Sequence, residues 1–309
     1  MAINRVELND YMVFKGNFAA EFGPGINVII GGNATGKTTL LRATCFNIGY
    51  NDFYPDIPHE LYHRRACSIA GLVRLDYHNK IRIFADVIDV FDYVYIPEKD
   101  ILEHAKGLLT FIDSKITGFG EVYRKVLISA QDTPTQEQSE LQKSISQKIA
   151  GIIGGTVCRD EADGSYYTLK PDGSRIPFGS EASGYKKFGF LGLLVSTGQL
   201  EPGSILFWDE PENSLNPELV PELVEILLEL SKNGVQIFIA THDYNLARYF
   251  DIRKDKGLSV MFHNLSKKDD GQIVCDSSPK YLGLTDNLLE KTGEELFNAV
   301  VADAMGVRQ

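Results

Sequence analysis

The sequence predicts an α/β fold: a mostly parallel sheet at the core, an antiparallel β lobe beside it and a short helical insertion. Three observations carry that prediction. Apolar strand-like runs alternate with helical ones from residue 204 to 263, the order that builds a parallel sheet. The first 30 residues and the stretch 67–91 read instead as short strands with no helix between them. Between the apolar run INVII and the helix-like LLRATCF sits GGNATGKTTL, residues 31–40, so a glycine-rich turn joins a strand directly to a helix.

In chain order, INRVELN, NFAAEF and INVII form a β-rich start, with FGPG at 22–25 as the turn before the last of them. A helix follows at about 37–47. After the irregular YNDFYPDIPHE come two strand-like runs, CSIAGLVRLDY and KIRIFADVIDVF, joined at His78 and Asn79, and then the strand DYVYI, which ends at Pro97. From Glu98 to Gly151 the period turns helical, in EKDILEHAKGLL, GEVYRKVLISA and TQEQSELQKSISQKIAGII. This is the helical insertion, too broken by Gly and Pro for a long coiled coil. TVCRDEADGSYYTL predicts a hairpin around ADGS, and a helix follows at about 184–198. The remainder reads as strand SILFW, a helix at about 217–232, strand VQIFIA, a helix at about 243–250, strands LSVMFH and QIVCD, and a C-terminal helix.

The loop 31–40 fits G-x-x-x-x-G-K-[ST] at Gly31, Gly36, Lys37 and Thr38, in the strand-to-helix setting that the pattern requires. Glycines let successive backbone N–H groups converge on phosphate oxygens at a helix N-terminus, where the dipole also favours an anion. Lys37 adds a point charge for the β- and γ-phosphates, and Thr38 offers its hydroxyl to Mg²⁺. ATP and Mg²⁺ are the expected ligands, with Gly31, Asn33, Ala34, Thr35, Gly36, Lys37, Thr38 and Thr39 as the nucleotide-binding residues. The run ILFWDEP, 205–211, is four apolar residues ending in two carboxylates, as a buried strand delivering acids to its C-terminal edge would be. Asp209 would hold Mg²⁺ and Glu210 would polarise the attacking water. VQIFIA ends in THD, which places His242 at another strand's C-terminal edge.

With these pieces the sequence resembles the ABC-type ATPase heads, in which a D-loop follows the Walker B acids and a histidine switch closes the next strand. Within that class it is similar to the SMC, RecF and OLD group, because DEPENSLNP resembles that group's D-E-P-E-x-x-L-x-P. SEASGYKKFGFLGLL, 180–194, and YIPEKDILEHAKGLL further resemble small bacterial AAA-family ATPases associated with anti-phage defence. The resemblance implies a P-loop NTPase of ABC-ATPase type whose catalytic residues are Lys37, Glu210 and His242, with His242 sensing the γ-phosphate. It implies that Gly184, with Ser183 beside it, faces the γ-phosphate of a partner subunit, and that Asn216 takes the place of the D-loop acid. Lys186 and Lys187 are read as a solvated helix face. Two departures stand out. Ala182 occupies the place where a transporter signature has serine, leaving Ser180 or Ser183 to supply the hydroxyl. There is also no glutamine before Gln131, so the Q-loop glutamine expected near Pro97 is missing, with Glu98, Asp100 and Gln131 as substitutes.

The implied organisation is lobe I with Walker A and antiparallel strands at 1–97, the helical insertion at 98–151, lobe II with signature, Walker B, D-loop and histidine switch at 152–265, and a C-terminal strand and helix at 266–309. The expected function is an ATP-binding and ATP-hydrolysing head that dimerises around two nucleotides and controls a partner effector, in phage defence or a DNA-related process. The alternative is a nucleotide-gated scaffold with slow hydrolysis that holds an effector. The phosphate loop alone would also suit a kinase or small-molecule transferase, which the histidine switch and D-loop pattern count against. A transporter subunit is disfavoured by the acidic balance and by DEPENSLNP. The expected partners are a second copy in an ATP sandwich and a protein effector or higher-order assembly, with the insertion and the C-terminal segment as contact regions.

Composition narrows the remaining classes. No apolar stretch reaches the roughly 20 residues that span a bilayer, and MAINRVELND lacks the regions of a signal peptide, so a cytoplasmic protein without a membrane partner is expected. With 42 acidic against 31 basic residues the net charge is −11, which argues against a broad nucleic-acid surface but leaves room for a local basic patch, so DNA stays open as a partner without being indicated by charge. Cys45, Cys67, Cys158 and Cys275 lie far apart without a C-x-x-C pair and are expected as buried thiols. HELYH, 59–63, matches the zinc pattern H-E-x-x-H, but Pro55 and Pro58 break the helix it needs and no third ligand follows at a familiar spacing.

Overall fold

The computed structural model describes residues 2–48, 65–69, 72–77, 80–86, 92–99, 102, 124, 127, 128, 130, 131 and 137–306. The central sheet has six strands in the order β14-β13-β3-β12-β11-β7. Its members are β3 (Ile26–Gly31), β7 (Tyr93–Ile96), β11 (Ile205–Asp209), β12 (Gln236–Ala240), β13 (Val260–Lys267) and β14 (Ile273–Ser278). All neighbours run parallel except β13 and β14. β3, β7, β11 and β12 are buried along their whole length and mostly apolar because they are covered on both faces, as interior parallel strands must be.

Alternate residues of these strands feed two separate cores. Ile205 and Phe207 of β11, with Tyr93 and Tyr95 of β7 and Phe238 of β12, pack with α1 (Lys37–Ile48) and the antiparallel lobe. Leu206 and Trp208, with Val94, Ile96, Ile237 and Ile239, pack on the other face. That face is covered by α2 (Glu140–Ile153), α3 (Ser183–Ser196), α4 (Val220–Lys232) and α5 (Tyr244–Arg253).

The antiparallel sheet has the order β2-β1-β6-β5-β4, formed by β1 (Ile3–Tyr11), β2 (Phe14–Glu21), β4 (Arg65–Ile69), β5 (Leu72–Tyr77) and β6 (Ile81–Ala85). The run CSIAGLVRLDY is two strands where one is expected. Ile69 pairs antiparallel with Leu72, so the run forms two neighbouring strands. Gln236 ties the two sheets together. Its carboxamide accepts from Ile3 N at 2.8 Å and donates to Ile3 O at 2.9 Å and Gly23 O at 2.8 Å.

A third sheet holds β8 (Thr156–Arg159), β9 (Tyr166–Leu169) and β10 (Arg175–Pro177), and β8 and β9 form the expected hairpin around ADGS. Within the helical insertion, α2 is set by a capping box between Ser139 and Gln142 and ends at Gly154, which has φ 63°. EKDILEHAKGLL and GEVYRKVLISA fall almost wholly outside the described residues, as do HELYH, the His78–Asn79 joint and Asp100. β13 runs across the expected boundary at 265/266, so the C-terminal segment begins as part of the central sheet. The final helix α6 (Leu288–Ala304) buries none of its residues and exposes Leu288, Leu296, Phe297 and Val300. Cys45 is buried, whereas Cys158 and Cys275 are only half-buried, against the expectation for both.

Candidate functional site

The phosphate loop lies where β3 meets α1. Gly31 has φ 146° and would put a Cβ 2.4 Å from Leu265 O, while Gly36 has φ 90° and would drive one to 2.8 Å from the Phe14 ring. Neither position admits a side chain. The first intrahelical bond of α1 is Leu40 N to Gly36 O, so the N–H groups of Lys37, Thr38 and Thr39 precede it and are available to an anion. Asn33 and Ala34 are exposed at the tip, and Thr35 Oγ1 closes the loop on Gly32 O at 2.9 Å. The Lys37 ammonium is buried and donates to Gly31 O at 2.9 Å and Gly32 O at 3.1 Å. Burial lowers its pKa, and the carboxylates of Glu210, Asp209 and Glu212 act against that shift.

β11 delivers its acids to the same edge. Thr38 Oγ1 donates to Asp209 Oδ1 at 3.0 Å, and Tyr95 OH donates to Asp209 Oδ2 at 3.2 Å. Burial raises the Asp209 pKa, with the Thr38 and Tyr95 bonds and Arg42 opposing. A hydroxyl and a carboxylate this close form an oxygen donor pair suited to Mg²⁺. No group of three or more His, Cys, Asp or Glu that could hold a metal occurs among the described residues.

Glu210 follows in the left-handed region at φ 48°, pinned by its N–H to Ala240 O at 2.8 Å. That turn brings its Oε1 to 3.1 Å from His242 Nδ1, so the histidine donates there in the tautomer that this contact requires. The sequence-predicted Thr38 and Asp209, and Glu210 and His242, thus meet pairwise beside Lys37.

Gly184 and Ser183 open α3, whose N-cap Ala182 offers no side-chain bond. The first backbone bond, Lys186 N to Ala182 O, leaves three N–H groups ahead of it. The neighbours of Gly184 are Leu215, Leu219 and Asn216 of the D-loop. Asn216 itself caps the turn Pro217–Leu219 by accepting from Glu218 N. Of the Q-loop substitutes, Glu98 accepts from Asn213 Nδ2 at 3.1 Å, and Gln131 sits in a turn closed on Ile128.

The reading of Lys186 and Lys187 as a solvated face is wrong. Lys186 is buried, and Lys187 Nζ donates to Glu210 O at 3.0 Å and Pro211 O at 3.1 Å. The lysine thus ties α3 to the turn that follows β11, where Glu210 O also accepts from Asn213 N at 3.1 Å. Two further residues escaped the sequence reading. Tyr95 is one, visible only as an apolar strand residue. Glu212 is the other: it is buried and accepts from Thr241 Oγ1 at 2.6 Å and from His242 N at 3.3 Å, fastening the D-loop to the histidine's backbone. Burial raises its pKa.

Comparison with known proteins bears on the family and the fold. The model of the family described as “AAA domain, putative AbiEii toxin, Type IV TA system” matches residues 54–248. Among solved structures, an SMC head bound to the C-winged helix domain of ScpA superposes with a TM-score of 0.56 at 16% identity, over 90% of this chain and 98% of that one. The Smc head domain with an extended coiled coil bound to the C-terminal domain of ScpA, derived from Pyrococcus furiosus, gives 0.53 at 14% identity, over 96% and 99%. The L-cystine import ATP-binding protein TcyN of Bacillus subtilis (strain 168) is 33% identical over 88 residues, 25% of this chain and 34% of that protein. The chain thus spans about a third or less of the length of the curated relatives it matches. The fold is that of a P-loop NTPase of the ABC-ATPase, SMC-head type. No helix among the described residues is long and apolar enough to cross a membrane.

Proposed function

The chain belongs to the AAA domain family whose description names an AbiEii toxin of a Type IV TA system, and from that premise we propose that it is an ATP-hydrolysing head that closes as a dimer around two nucleotides and controls a partner effector. One observation carries the hydrolytic part: Glu210 Oε1 lies 3.1 Å from His242 Nδ1 beside a Thr38–Asp209 pair 3.0 Å apart, at the mouth of a phosphate loop. The loop N–H groups and Lys37 bind and orient the phosphates. Thr38 and Asp209 would hold Mg²⁺, which neutralises charge on the β- and γ-phosphates when bound. Glu210 takes the proton of the attacking water, and His242 fixes its carboxylate while keeping Nε2 for the γ-phosphate. The open N-terminus of α3, with Ser183 and Gly184, serves the nucleotide of the opposite subunit, and Asn216 lies beside it at that interface. The exposed apolar residues of α6 support a protein-contact role for the C-terminal segment.

A phosphate-release assay on Glu210→Gln tests the assignment. The change keeps shape and leaves Asp209 in place, so turnover should fall by roughly 10²- to 10⁴-fold while ATP binding persists. Unchanged turnover would remove Glu210 from its role. The parent's own rate separates a turning-over enzyme from a scaffold that hydrolyses slowly.

A further inference from the structure

The lobe I strand that ends at Pro97 brings no glutamine to the site, since none precedes Gln131. It brings a phenol instead. On β7, Tyr95 pairs with Phe207 of β11, so it shares a face with Phe207 and with Asp209 two residues further on. A tyrosine is long enough to cover that two-residue step, and its OH meets Asp209 Oδ2 at 3.2 Å. Behind it, Arg42 Nε donates to the same OH at 3.2 Å. Arg42 stands one turn beyond Thr38 on α1, so the two side chains leave the helix on one face. The result is a closed arrangement: Thr38 holds Oδ1, Tyr95 holds Oδ2, and Arg42 holds Tyr95. A phenol that accepts from a guanidinium is polarised toward donation, which strengthens its hold on the carboxylate.

We propose that Tyr95, braced by Arg42, is the positioning residue through which lobe I aims the metal-binding carboxylate of Asp209, in the place where the glutamine is missing. This rests on the reading of Asp209 as the Mg²⁺ carboxylate. The two donors fix the rotation of the carboxylate group, so the lone pairs left over point consistently at the metal's water shell. A purely structural Tyr95 would fill space between the strands and contribute nothing to metal affinity.

The test uses Mn²⁺ as the probe, titrated by electron paramagnetic resonance into the full chain saturated with ADP, alongside ADP affinity measured in chelator. Tyr95→Phe keeps the ring and removes the hydroxyl. Mn²⁺ affinity should drop by about tenfold with metal-free ADP affinity unchanged, and phosphate release should recover as Mg²⁺ is raised. Arg42→Met, which leaves Tyr95 in place, should shift Mn²⁺ affinity in the same direction, and the double variant should go little further than the larger single change, as members of one chain do. Unaltered Mn²⁺ affinity in both single variants overturns the proposal. Equal losses of ADP affinity with and without metal overturn it too, since they indicate disturbed packing. Asp209→Asn separates the two levels of the argument. If that variant retains Mn²⁺ affinity, the reading of the metal site itself has failed; if it loses affinity while Tyr95→Phe does not, only the role of Tyr95 has.

Discussion

Lowering the pH from about 7 to about 5 should weaken the sheet beneath the phosphate loop through one residue, His263. It sits on β13 opposite Ile29 of β3, two residues before the pairing of Leu265 with Gly31. It is completely buried, with Nε2 3.2 Å from Asn27 Oδ1 and Nδ1 2.8 Å from Ser277 Oγ. Asn27 Oδ1 already accepts from Gly23 N, so Nε2 carries the proton and Ser277 donates to Nδ1. Protonating Nδ1 would turn the Ser277 hydroxyl from donor to acceptor and leave a buried cation with no carboxylate in contact among the described residues. Burial accordingly pushes the His263 pKa down to about 3. The unfolded chain titrates near 6.5, so it takes up the proton first and stability falls progressively as pH drops from about 6.5 toward about 3. Over the stated interval the unfolded histidine becomes almost fully charged and the folded one stays neutral, a loss of about 2 kcal/mol. Asp209 and Glu212, raised by burial, act with the opposite sign, so the informative quantity is a difference between variants. His263→Gln keeps a donor for Asn27 and does not titrate. Urea unfolding at both pH values, followed by the emission of buried Trp208, the chain's single tryptophan, should show the parent losing about 2 kcal/mol more than the variant. Equal losses would refute the account of a neutral, two-bonded His263.

Two other outcomes test the shared site. Lys37→Ala removes a ground-state phosphate contact, and Gly184→Asp sets a carboxylate beside the α3 N-terminus, where the new Cβ would lie a relaxable 3.1 Å from Leu215; each should be inactive alone, and an exchanging equal mixture should recover about a quarter of parental phosphate release. If no activity returns despite subunit exchange, either the site is not shared or the two composite sites are obligatorily coupled, and single-site nucleotide occupancy in the mixed dimer would show the coupled case. Lys187→Met frees the carbonyls of Glu210 and Pro211 from the signature helix, so turnover should fall by about tenfold or more with ATP affinity nearly unchanged; an undiminished rate would make that contact structural only.

What could be read from the chain and what could not divide along a physical line. The strand–loop–helix at 31–38 is a local pattern, because the backbone geometry that phosphate demands leaves its mark in consecutive residues. Asp209 and His242 were legible for a similar reason: each closes a short apolar run, and parallel strands present their ends at one edge. Tyr95, Glu212 and Lys187 were not, since each acts through a partner on another element, and nothing in YVYI distinguishes a tyrosine that packs from one that reaches a carboxylate 114 residues away. Lys187 misled for a further reason: a paired Lys-Lys on a helix is ordinarily solvated, and only the carbonyls of a turn 23 residues on convert it into a half-buried tie. The split of CSIAGLVRLDY into two strands was concealed by apolar residues on both sides of its glycine.

Glu210 occupies a backbone region that L-residues other than glycine enter at a cost of about 1–2 kcal/mol. Glycine or asparagine would sit there more comfortably, so a lineage of this chain released from any need for hydrolysis would gain stability by the very substitution that destroys the chemistry. Drift and catalysis therefore pull in opposite directions at this one position. On the proposed role of Glu210, a glutamate retained there would mark a chemical task still being performed, and descendants that have become pure nucleotide-binding scaffolds should be recognisable by a glycine or asparagine after Asp209.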